Sequence, residues 1–146
     1  MLVLDTNVIS ELMRQRPDPG VVAWIDAQAS QTIWTTTISV LEICTGIEFL
    51  PDGKRKLALR KGFEVALLEV FDRRILTFDV MAARVAALIA EQRRQAGKSC
   101  EIRDLQIAGI VSARKATLVT RNVKDFQGMG IKLIDPWDQG YCPVKS

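Results

Sequence analysis

The chain has 146 residues, 48% of them hydrophobic and 25% charged, with a net charge of +3. That is the size and balance of one ordinary globular domain with enough apolar residues for a core. Histidine is absent and the three cysteines, Cys44, Cys100 and Cys142, are widely spaced, which excludes imidazole-based triads, His-rich metal sites, a disulfide framework and a zinc cluster.

Leu2-Val3-Leu4 reads as a short buried strand that delivers Asp5 to its carboxyl end. A short helix is expected from Val8 to Arg14, broken by Arg16-Pro17-Asp18-Pro19-Gly20. Asp18 as N-cap and Pro19 at the first helical position open a second helix to about Ala29, with Val22, Ile25 and Ala29 on one face. Thr32 to Thr36 is a β-rich strand with Ile33 and Trp34 as core candidates. Ser39-Val40-Leu41-Glu42 has the form of a capping box and opens a helix through Leu50, in which Leu41, Cys44, Ile47 and Glu48 follow helical spacing.

Pro51-Asp52-Gly53 ends that helix. From Lys54 to Phe71, Leu59, Phe63, Ala66, Leu67 and Val70 repeat at helical spacing beneath a basic face of Lys54, Arg55, Lys56, Arg60 and Lys61. Gly62 inside this helix costs about 1 kcal/mol relative to alanine, so a close packing contact is expected there. Ile75 to Phe78 suits a strand, and Asp79 caps an alanine-rich helix with Met81, Val85, Leu88 and Ile89 facing inward and Gly97 just beyond its end. A helix over Arg103 to Ala116, a buried strand over Thr117 to Thr120, a polar turn over 121–126 and a last strand over Ile131 to Ile134 complete the pattern. Residues 138–146 read as a loosely held tail.

Strands alternating with helices predict an α/β fold, a mostly parallel sheet covered by helices on both faces, in a single unit over 1–137. No apolar run reaches the roughly 18 residues of a membrane span, and no basic-then-apolar leader opens the chain, so a cytoplasmic location is expected.

Without histidine, any catalysis rests on carboxylates, and carboxylates without soft ligands select hard cations such as Mg²⁺ or Mn²⁺. Four acids occupy comparable places after elements that end at one sheet edge: Asp5, Glu42, Asp104 and Asp125. Each has an ordinary alternative. Asp5-Thr6-Asn7 is good turn and N-cap chemistry, Glu42 suits the third position of the Ser39 capping box, Asp104 suits a helix N-terminus, and Asp125 suits a turn. Asp104 stands out because Ile107, Ala108 and Val111 make its helix face apolar, so that its carboxylate needs a partner. Glu101, one turn earlier, is ambiguous. Removing four acids from the count of 17 leaves 20 cations over 13, a balance of +7 that favours a polyanionic partner.

Leu4-Asp5-Thr6-Asn7, Thr37-Ile38-Ser39-Val40-Leu41-Glu42, the segment Asp104 to Ala113, Leu118 to Phe126 and the final Asp135-Pro136-Trp137 together resemble, in order, the motifs of PIN-domain ribonucleases. The similarity is greatest to the VapC and FitB type toxins of bacterial toxin-antitoxin modules. The resemblance implies a PIN-like three-layer sandwich and metal-binding roles for Asp5, Glu42 and Asp104, with Asn122 or Asp125 in the fourth position. It also implies an endoribonuclease dependent on Mg²⁺ or Mn²⁺, a cognate antitoxin over the acidic groove, and a homodimer or larger assembly. Arg103 departs from the small residue that many relatives carry.

The chemistry that fits is hydrolysis of RNA phosphodiester bonds. Thr6, Thr120 and Arg121 are candidates for water or phosphate contacts, and Lys54, Arg55, Lys56, Arg73, Arg74 and Lys124 for the RNA backbone. Two competing expectations are an inactive PIN-like RNA-binding or assembly module and a receiver-like Mg-binding signalling domain, for which Asp79 after Ile75 to Phe78 is the one phosphoacceptor candidate.

Overall fold

A computed structural model describes residues 1–139. The expected tail from 140 onward, with Cys142, lies outside the described residues.

Five strands, β1 (Leu2–Leu4), β2 (Ile33–Thr36), β3 (Ile75–Leu76), β4 (Thr117–Val119) and β5 (Lys132–Ile134), form a sheet of order β3-β2-β1-β4-β5. Every pairing is parallel, with Leu2 aligned to both Ile33 and Thr117. All the strands therefore end at one edge. The chain winds outward from β1 to β3, then crosses back to β4 and β5, and the reversal between β1 and β4 opens a crevice at the carboxyl edge. Asp5 ends one of these strands and Thr120 the other.

The central strand β1 is an unbroken apolar run because both faces of the sheet are covered. Alternation sends Leu4 and Val119 to one side, with Val8, Ile9, Ile43, Phe63 and Phe71, and sends Val3 and Leu118 to the other, with Ala82, Ile89, Ile107 and Ile110. The first layer consists of α1 (Thr6–Leu12), α2 (Pro19–Asp26), α3 (Thr37–Glu48) and α4 (Lys54–Glu69). The second contains α5 (Val80–Gln95) and α6 (Ile102–Ala113), and a single turn, α7 (Val123–Phe126), occupies the expected polar turn. The predicted three-layer α/β sandwich is present.

Several boundaries differ from the sequence reading for reasons of capping. α1 begins two residues early because Asp5 caps it, accepting the Thr6 N–H. α3 begins at Thr37 because Thr36, not Ser39, is the N-cap: its Oγ1 accepts the Ser39 N–H at 3.1 Å. A Thr at the end of a strand competes with Ser three residues later, and the strand end wins by position. The capping-box role of Glu42 therefore disappears. Glu101 is the N-cap of α6, accepting the N–H groups of Arg103 and Asp104.

Side-chain facing also departs from expectation. Met81 and Leu88 are exposed, whereas Ala82, Ala86 and Ile89 are buried. Small residues form the contact because α5 and α6 approach closely at Gly109, where an added Cβ would stand 2.5 Å from the Ala82 carbonyl oxygen and 2.8 Å from Ala86 Cβ. The close contact expected at Gly62 is absent: nothing lies within 4 Å of an added Cβ there. α2 ends at Asp26 rather than near Ala29 and its buried residue is Val21 rather than Val22, and in α3 Leu41 points outward while Ile43 joins the expected Ile47 in the core. Gly97 ends α5 as predicted, with positive φ and the Lys98 N–H bonded to the Arg93 carbonyl.

Candidate active site

The crevice between β1 and β4 is organised by Asp5. Only 5% exposed, it accepts three side-chain or backbone donors: Thr6 N–H at 2.8 Å on Oδ1, and the Thr120 hydroxyl at 2.8 Å and Asn7 Nδ2 at 3.2 Å on Oδ2. Thr120, wholly buried, accepts in turn from Asn7 Nδ2 and from the Asn122 N–H at 3.0 Å. Asn7 Oδ1 accepts the Arg121 N–H at 3.1 Å. The side chain of Asn7 thus ties β1 to the segment after β4. Sequence reading gave Asn7 only a local turn role, and the signal that would have found it is its place two residues beyond a buried strand-end acid, within reach of the same carboxylate.

Burial raises the Asp5 pKa above the carboxylate norm, against the three bonds that lower it, and the Asp125 charge raises it further. Glu42, half-buried in α3, is also raised, first by burial and then by the Asp5 charge, with partial relief from the Thr6 hydroxyl and the Arg103 guanidinium. Among the described residues Thr6 Oγ1 is buried and meets no partner at hydrogen-bonding geometry. Asp104, half-buried in the first turn of α6, is pushed up to about 6, first by burial and then by Asp5, Glu101, Asp125 and Glu42.

The charges of Asp5, Glu42 and Asp125 all reach Asp104 across the sheet edge, although Asp125 is itself exposed on α7. Among the described residues, no three of them close around a single point. They are coupled by charge and stand open. Asn122 is exposed and places no side-chain bond on the helix that follows it. Arg103 is half-buried and forms no ion pair among the described residues.

From Thr6 and Glu42 a groove of about 1130 Å³ runs between α1, α3 and α4, floored by Met13, Ile43 and Ile47 and reaching Arg14, Arg16, Lys54 and Arg55. Other predicted cations have structural partners. Lys56 is buried and bonded to the Glu48 carbonyl, with Glu48 and Asp52 beside it, so it joins α3 to α4. Arg74 donates to the carbonyls of Ile33 and Val70. Asp79, the receiver-like candidate, caps α5 by accepting the Ala82 N–H. Arg121 is exposed and stands over the ring of Trp137 at 4.9 Å.

Comparison with known proteins places this geometry. The chain is 41% identical over 138 residues to the plasmid stability protein StbB of Pseudomonas syringae pv. tomato, spanning 94% of this chain and 99% of that one. It is 38% identical, with the same coverage, to the VapC ribonuclease Y4jK of Sinorhizobium fredii. Toxin FitB of Neisseria gonorrhoeae is 34% identical over 94% of this chain and 99% of its own. The crystal structure of FitAcB from that organism holds a chain that superposes with a TM-score of 0.88, at 34% identity over 94% of this chain and 99% of the other. The PIN domain family model matches residues 2–131, and the chain belongs to the PIN-domain family, among relatives named as VapC ribonucleases and FitB toxins.

Proposed function

We propose that the chain is a metal-dependent endoribonuclease toxin whose site is the carboxyl edge between β1 and β4. The observation that carries this is the crowding of carboxylates around Asp104, which is raised to about 6 by burial and then by Asp5, Glu101, Asp125 and Glu42. Such an arrangement is costly unless a cation relieves it. The donors are all oxygen, and Thr6 Oγ1 is buried without a partner. This all-oxygen set suits Mg²⁺ or Mn²⁺, which keep several waters of their own.

Asp5, Glu42 and Asp104 would hold the cation, with Asp125 completing the set in preference to Asn122, since the Asp125 charge reaches both Asp5 and Asp104. When bound, the cation supplies positive charge for attack of water on a phosphodiester. Asp5 is fixed by Thr6, Asn7 and Thr120 and serves as the rigid reference. Glu42 and Asp104, whose pKa values are raised first by burial and then by like charges, are the acids whose ionised forms a bound cation would favour most. The cations around the groove, Arg16, Lys54 and Arg55, favour the RNA backbone.

Inhibition by a cognate antitoxin belongs to the same proposal: a surplus of carboxylates is complementary to an inserted guanidinium, and the gonococcal relative is called a toxin. Exposed Val80, Met81 and Leu88 on α5 support self-association into a homodimer. Among the described residues no helix is long and apolar enough to cross a membrane.

The deciding experiment is cleavage of RNA by purified chain with Mg²⁺ or Mn²⁺ against EDTA, alongside Asp104→Asn. Cleavage that survives both treatments sinks the proposal.

A further inference from the structure

Arg121 immediately follows Thr120, the residue whose hydroxyl holds Asp5, and its N–H is held by Asn7. Its backbone is thus bound into the network that positions the acid cluster. Its side chain does not join that cluster. Among the described residues the guanidinium makes no ion pair with any of the nearby carboxylates and has no side-chain hydrogen bond; it lies 4.9 Å over the ring of Trp137. Trp137 packs against the core beneath α1–α4, and its backbone N–H donates to Asp135 Oδ1 at 2.9 Å. An exposed arginine ordinarily samples many rotamers; here an aromatic ring orders it while leaving its N–H donors unused. A planar fork of donors, stacked on a ring and unpaired among the described residues, carried by the residue next to Thr120, matches a phosphate oxygen pair.

Resting on the function proposed above, we infer that Arg121, braced by Trp137, binds an RNA backbone phosphate next to the scissile one and so sets the register of the strand over Asp5. Arg121 is a phosphate-binding residue and Trp137 a positioning residue. The predicted phosphate role of Arg121 thereby acquires a partner that sequence spacing does not reveal, since the two residues stand on segments after different strands, β4 and β5.

The test measures binding of a fluorescein-labelled single-stranded oligouridylate by anisotropy across a salt series, using the full chain carrying Asp104→Asn. The expected result for added Arg121→Ala is at least tenfold weaker binding and a slope of log K against log salt reduced by about 0.7, the share of one phosphate contact on a single strand. Arg121→Lys keeps the slope and loses part of the affinity; Trp137→Leu does the same because the charge remains but is no longer braced. In the cleaving chain, Arg121→Ala raises KM with kcat nearly unchanged. Affinity and slope unchanged in Arg121→Ala overturn the inference, as does weaker binding that follows a fall in Tm with the slope intact. Cleavage by the wild type with KM unaltered in Arg121→Ala overturns this inference alone, whereas a wild type that neither binds nor cleaves RNA removes the proposed function with it.

Discussion

Thr120 donates its hydroxyl to Asp5 Oδ2 at 2.8 Å, joining residues 115 positions apart across the reversal of strand order between β1 and β4. Because Thr120 is wholly buried and also accepts from Asn7 and Asn122, replacing it with the isosteric valine removes three hydrogen bonds, including one of the two that buried Asp5 Oδ2 accepts. Thr120→Val is expected to lose about 1–3 kcal/mol of stability in urea denaturation and to slow cleavage by loosening Asp5. An unaltered urea midpoint would show that the bonds through Thr120 carry no net stability.

Asp5 and Asp104 are expected to respond differently to amidation. Asp5 caps α1 and accepts three donors, so an amide at that position turns an N–H group toward existing donors and lowers stability. Among the described residues Asp104 accepts no side-chain hydrogen bond, and burial and then its like-charged neighbours disfavour its ionised form. Asp104→Asn should therefore leave the metal-free protein as stable or more stable at pH 7, while cleavage falls by more than ~100-fold. Thermal unfolding of the two variants in EDTA separates them.

The pH dependence follows from the same residue. The folded-state pKa of Asp104 is about 6, above the unfolded value of 3.8, so the folded protein binds this proton more tightly. Its contribution to stability is fully present below pH 3.8 and is lost as pH rises through about 6. Other acids, such as Glu11, whose pKa is lowered chiefly by the Asp18 N–H, act in the opposite direction. The difference in urea midpoint between wild type and Asp104→Asn should thus shift in favour of the variant between pH 4 and pH 7. A difference independent of pH would place Asp104 in a relaxed environment.

Divalent cations should reverse that trend. Mn²⁺ that binds only the folded chain raises Tm, by an amount equivalent to about 2.7 kcal/mol at a hundredfold excess over Kd, and more strongly above pH 6, where Asp104 is deprotonated. Differential scanning fluorimetry with Mn²⁺ should give a smaller shift for Glu42→Gln and Asp104→Asn. Equal shifts in all three proteins would place the ion elsewhere.

Two glycines give opposite expectations. Gly109→Ala forces a methyl group to 2.5 Å from the Ala82 carbonyl oxygen and should cost about 1–3 kcal/mol or more by prising α5 from α6. Gly62→Ala meets nothing within 4 Å and should stabilise α4 by about 0.5–1 kcal/mol. Chemical denaturation of the pair checks both.

The order of strands and helices, the buried run at Leu2–Leu4, the caps at Asp18 and Asp79 and the acids worth suspecting were all legible in the chain. They depend on local periodicity and on side chains that bond to neighbouring backbone, and such signals are complete within a few residues. Which face of α5 turns inward was not: periodicity favours large residues, whereas the actual contact is made by alanines against Gly109, a partner distant in sequence. Nor was the status of Glu42 legible, because two caps were locally acceptable and the end of β2 decided for Thr36. The roles of Asn7, Thr120 and Trp137 are likewise tertiary, since each is defined by a hydrogen bond or ring contact that exists only once strands far apart in sequence lie side by side. The absence of histidine in the sequence left carboxylates as the candidates for any chemistry; the parallel sheet brought them to one edge, where burial and then that proximity raise the Asp104 pKa.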